Sequence, residues 1–165
     1  MSDILLFPGS TATGCFVQEW VDFDFEMRLF FLPAVSWTPG QQLDPRRIEF
    51  NSWSADPTAQ GRPQGFEMLS EDMCLSIWEG DAEALRNAKR QAIDISQCLL
   101  TWIFEIDSRP VPMIRLDFMT RRAASGIANV FFGEFCEIGG ALLQWEDGYQ
   151  IIWQAAIDHC IAGSS

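Results

Sequence analysis

Three carboxylates at alternate positions, Asp22, Asp24 and Glu26, form the densest chemistry-bearing pattern in this sequence. They sit in VDFDFEMRLFF, where Val21, Phe23, Phe25, Met27, Leu29 and Phe31 alternate with charged residues. That alternation predicts a β-strand with one apolar and one charged face. The carboxylates would then project from one face, about 6.6–6.8 Å apart per step. Three uses follow: a solvated sheet face, an acidic ladder for a basic protein, or a metal or catalytic site. A divalent ion holds its oxygen ligands at about 2.0–2.6 Å, so residues this far apart share one only if side chains converge or other segments contribute. A two-carboxylate glycosidase arrangement tolerates the spacing but needs a cleft, which the pattern does not specify.

A second acidic group, Glu134, Glu137, Glu146 and Asp147, is interleaved with Phe131, Phe132, Phe135 and Trp145. Aromatic anchors ringed by carboxylates suit an interface that captures Arg and Lys from a partner. The competing use of those aromatics is the core. The candidate partner-binding set is therefore Glu19, Asp22, Asp24, Glu26, Glu134, Glu137, Trp145, Glu146 and Asp147.

Other chemistry has little support. The one histidine, His159, stands beside Cys160, and side chains adjacent in sequence point apart on a helix or strand. Cys15 follows a glycine-rich turn, but no positive charge lies near it in sequence and Glu19 would raise its pKa. The segment PGSTATG lacks the phosphate-loop lysine, G-x-G-x-x-G is absent, and Lys89 is the only lysine. No zinc-type ligand cluster is visible. No catalytic, cofactor-binding or metal-ligating residue is assigned.

The 23 acidic residues outnumber 11 basic ones, for a formal charge of −12. Residues 1–26 and 123–165 carry acids and no Lys or Arg, while the middle is nearly balanced. Such a surface repels nucleic acid and anionic membrane and attracts basic partners at long range. Acidity can also serve only to keep an aromatic-rich chain in solution. The five cysteines are scattered without C-x-x-C spacing, which suits free thiols in a reducing compartment. The N-terminal MSDILLFPGS has no basic region and only a short apolar run, and no window resembles a membrane span. A cytoplasmic location is expected.

The elements that must position these groups centre on residues 80–106. Leu85, Ala88, Ala92, Ile95, Leu99, Trp102 and Ile106 recur at steps of three and four, predicting a helix over about 81–106. Asp81 is the expected N-cap, the Arg109–Pro112 segment ends the helix, and its apolar far end is expected to be buried. Strands are expected at Cys15–Trp20, Val21–Phe31, Arg46–Trp53, Met73–Trp78, Pro112–Met119 and Asn129–Phe135. Residues 54–65 read as a Pro/Gly loop and the Arg121–Arg122 region as a turn. From 141 on, a hairpin turning at Glu146–Gly148 competes with a terminal helix over 149–162.

A length of 165 residues fits a single α+β domain over 1–165: a mainly antiparallel sheet packed on one long central helix, with the C-terminal helix as an option. The expected function is that of a non-enzymatic acidic binding protein that neutralises or inhibits a basic partner. Immunity proteins against nuclease toxins, antitoxins and phage-encoded inhibitors belong to this class, nucleic-acid mimicry included. One alternative is a carboxylate enzyme, with or without a divalent metal, on the same residues or on Asp107 and Asp117. Another is a structural subunit whose aromatic excess is buried interface.

Overall fold

The computed structural model describes residues 21–54, 65–107, 111–136 and 145–163. Its elements are β1 (Phe25–Phe31), β2 (Arg47–Ser54), β3 (Gly65–Leu69), α1 (Glu71–Ile77), α2 (Ala82–Ile106), β4 (Ile114–Ala124), β5 (Ile127–Cys136) and α3 (Gly148–Gly163). The strands form one antiparallel sheet in the order β3-β2-β1-β4-β5, with β1 at its centre. The α+β class with one long central helix is as the sequence predicts.

Period-two alternation divides β1 between the two faces. Phe25, Met27, Leu29 and Phe31 join Leu116 and Phe118 of β4 in the main core, on the side of α2. The helix contributes Ala84, Leu85, Ala88, Ala92 and Leu100 to this core, and Ser96 is buried beside them. Small side chains at Ala84, Ala88, Ala92 and Ser96, four residues apart, let the helix backbone lie close to the sheet. Asp81 caps the helix by accepting from Ala84 N, and its other oxygen accepts from Gly126 N in the β4–β5 turn, each at 2.9 Å. These two backbone N–H groups hold the Asp81 carboxyl below its usual range. Gly126 has φ +71°, a left-handed conformation that costs glycine little. Asn87 and Gln91 bond the backbone of Ala128, fixing the helix against β5.

Several local expectations change. Met73–Trp78 lies largely in helix α1, not in a strand: Ser70 caps it through Met73 N, and Glu71 and Asp72 in its first turn suit the helix dipole. Glu79 and Gly80, both at positive φ, then reverse the chain into α2. Arg121 and Arg122 lie within β4, and the turn falls at Ser125–Gly126. The far end of α2 is only partly covered: Leu100 is buried, whereas Trp102 and Ile106 are exposed. Of the two C-terminal alternatives, residues 148–163 form the helix. The expected strand at Cys15–Trp20, most of the 54–65 loop and the segment 141–144 lie outside the described residues.

Candidate functional site

The face of the sheet opposite α2 carries an ionic network built by the same sequence pattern on three strands. Glu26 and Arg28 on β1, Arg47 and Glu49 on β2, and Arg115 and Asp117 on β4 each place opposite charges two residues apart. Such pairs share one face of a strand. The register then puts Arg28 directly opposite Glu49 on one side and Asp117 on the other. Opposite charges facing each other across strands stabilise the pairing.

At the centre, Arg115 holds Asp117 with two parallel hydrogen bonds, Nε to Oδ1 and Nη2 to Oδ2, both 2.7 Å. Arg28 binds Glu26 through Nε and lies 3.4 Å from Asp117. Asn51, fully buried, is best oriented with its side-chain oxygen toward Arg28 Nε at 3.3 Å and its amide toward the Phe50 carbonyl. Arg115 also reaches Glu134 at 3.4 Å and Cys136 Sγ at 3.2 Å on β5. Glu49 is buried with neither carboxylate oxygen in a hydrogen bond, and Arg47 Nε lies 3.5 Å from it.

Burial pushes the Asp117 carboxyl up to about 6, against the opposing pull of the Arg115 and Arg28 guanidiniums. Burial also works against the charge of Arg115, but Asp117 together with Cys136 and Glu134 outweighs it and the guanidinium stays protonated. Burial raises the Cys136 thiol, which disfavours its reactive thiolate. Because the folded protein holds the Asp117 proton more tightly than the unfolded chain, this group adds stability as pH falls from 7 toward 4. A carboxyl-carbon NMR titration should show Asp117 with its midpoint near 6. A midpoint in the ordinary carboxylate range would show that the two arginines outweigh burial.

The predicted partner-binding residues distribute unevenly. Glu19 and Glu137 lie outside the described residues. Asp22, Glu134, Glu146 and Asp147 are exposed. Asp24 is exposed at the strand's start, but its Oδ2 accepts from Trp78 Nε1 at 2.8 Å and Arg122 N at 2.9 Å. Glu26 is only 9% exposed. Asp24 thus reaches Trp78 of the helix-side core while Glu26 serves the opposite face, so the expected single-faced ladder does not form. A central strand has neighbours on both sides, and Arg28 draws Glu26 into the network between them.

The structure does bring parts of the two acidic ends together. Glu26, Arg28, Asp117, Arg115 and Glu134 run in series across β1, β4 and β5. Trp145 packs edge-on against Phe30 of the same face, ring centres 5.5 Å apart. None of the arginines of this network is among the predicted partner-binding residues. The repeated Glu-x-Arg, Arg-x-Glu and Arg-x-Asp pattern was the available signal.

Helix α3 packs beside this face. Ile152 joins Phe30 and Met113 in a small second core, with Leu32 and Trp145 against it. His159 is buried with Nε2 2.9 Å from the Pro33 carbonyl, a structural contact. The outer side of α3 is different: Tyr149, Trp153, Ile157 and Ile161 recur every four residues and are 49–65% exposed.

The other chemical candidates are quickly placed. Asp107 is the half-buried C-cap of α2. An open groove of about 660 Å³ beside the start of α2 is polar, but its Arg122 already binds Glu79 and the Trp78 carbonyl. Among the described residues, no three His, Cys, Asp or Glu side chains are grouped so as to hold a metal ion. Cys74, Cys98 and Cys136 carry free thiols, with Cys98 exposed despite its apolar sequence neighbours. No helix among the described residues is long and apolar enough to cross a membrane. Comparison with protein-family models, curated proteins and solved structures returns no match for this chain.

Proposed function

We propose that the chain is a non-enzymatic acidic binding domain that captures and neutralises a basic protein in a reducing, cytoplasmic compartment. The carrying observation is how five of the nine described Lys and Arg side chains are used, Arg46, Arg90 and Arg121 standing exposed. Arg28 and Arg115 are buried in the ionic network, while Arg86, Arg122 and Lys89 each hold a neighbouring carboxylate. Glu134, Glu146 and Asp147 remain exposed on a chain of net charge −12. A partner rich in Arg and Lys would meet an attractive field, with fast, salt-sensitive association. A toxin or nucleic-acid-binding protein, the target of an immunity protein, antitoxin or inhibitor, has that chemistry.

Affinity capture from host extract at low and high salt tests the idea. Basic proteins should be retained at low salt and lost as screening shortens the reach of the charges. Changing Glu134, Glu146 and Asp147 together to Gln should slow association while leaving the melting temperature within a few degrees. Retention of acidic or neutral proteins, indifferent to salt, would reject it.

A carboxylate enzyme is the second possibility, favoured by the raised Asp117 pKa in a charged cluster. Against it, Asp117 is 3% exposed and already clamped by Arg115. A marked rise in melting temperature with Mg²⁺ or Mn²⁺ would favour the enzyme.

A further inference from the structure

The outer face of α3 is apolar along most of its length and stands exposed. Tyr149, Trp153, Ile157 and Ile161 are 60%, 60%, 49% and 65% exposed. They span thirteen residues, about 18 Å of helix. Scattered exposed apolar residues are ordinary, but a continuous aligned row marks an interaction surface. The charges around this row have one sign. Residues 148–163 contain no Lys or Arg, Glu146 and Asp147 stand exposed at the head of the helix, and Asp158 with Gln154 borders one side of the row.

We infer that this face of α3 docks an amphipathic helix of the partner, with an apolar stripe flanked by Lys or Arg. This rests on the capture of a basic protein argued above and names the structural form of the segment bound. Two helices packed side by side lie about 8–10 Å apart, which brings the flanks of the incoming helix to the acidic border. Trp153 and Ile157, in the middle of the row, are the central anchors. Glu146 and Asp147 select the sign of the partner's charge. A second copy of this chain is a poorer occupant, because it would bring the same uncompensated carboxylates to the contact.

The test uses the full chain and three synthetic peptides of about 18 residues. One is a Leu/Lys helix with Leu on a single face, the second a scrambled Leu/Lys sequence, and the third a Leu/Glu helix of the same pattern. The Leu/Lys helix should bind best, and backbone amide shifts on titration should concentrate on Tyr149–Ile161. The Trp153→Ser/Ile157→Ser variant should lose about tenfold in affinity. Because both side chains are exposed, the variant should keep its fold, and the amide map reports the site independently of it.

Equal binding by the scrambled peptide, shifts away from α3, or unaltered affinity in the variant would each overturn the docking surface. Those results would leave salt-sensitive capture of a basic protein standing. Equal binding by the Leu/Glu helix would overturn the basic character of the occupant. A concentration-dependent dimer that Ile157→Ser abolishes would assign the face to a second copy. Binding to zwitterionic vesicles through α3 would assign it to a membrane surface.

Discussion

Replacing Asp117 with Ala should destabilise the protein by about 3–5 kcal/mol, the cost of breaking a buried ion pair by removing one partner. The lost carboxylate is the bidentate acceptor for Arg115 and the cross-strand neighbour of Arg28, both nearly inaccessible. Asp117→Asn should cost less, because Asn keeps one acceptor facing Arg115 and because burial already disfavours the charged carboxyl. The double change Arg115→Met/Asp117→Leu should recover much of the loss, since apolar residues of similar size need no compensating charge. Urea unfolding of the three variants would measure this. A double variant as damaged as Asp117→Ala would mean that the network fixes the strand arrangement itself.

Trp78→Ala should cost a comparable amount, about 3–5 kcal/mol, for a different reason. The indole is 1% exposed and stacks at a tilt on Phe25, ring centres 4.7 Å apart. Its removal leaves a cavity under α1 and strips Asp24 of its Nε1 donor. Trp78→Phe should retain most of the packing and forfeit the hydrogen bond, at about 1–2 kcal/mol. Chemical denaturation should therefore rank wild type above Phe and Phe well above Ala. Similar midpoints for the Phe and Ala variants would place the weight on the hydrogen bond instead of the buried ring.

These two sites also mark what the sequence made legible. Helix α2 was plain because its apolar spacing, its Asp81 cap and the prolines after it agree. β1, β2, β4 and β5 were visible as expected strands, β1 by its strict alternation. Met73–Trp78 misled because Cys-Leu-Ser-Ile-Trp suits a strand, while the start signal Ser70-Glu71-Asp72 lay just upstream. The acidic row at 22–26 misled for a tertiary reason. Alternation shows which residues share a face, but it does not reveal what the neighbouring strands bring to that face. Once β1 lies between β2 and β4, Glu26 has Asn51 and Met119 across from it and Arg28 two residues along, where water was expected. The helix pattern at 149–162 groups Tyr149 and Trp153 with Ile152 on one face, whereas the structure buries Ile152 and His159 and leaves Tyr149 and Trp153 outside.

The footing of α3 has a further consequence. Ile152, Trp145 and His159 tie it to the rest of the fold. A helix exposed along one whole side opens at a lower free energy than the central strands of the sheet it rests on. Its amides should exchange with deuterium well before those of β1 and β4, without global unfolding. Covering its outer face would protect them, so the tightness of any complex formed there includes the entropy of quieting this helix.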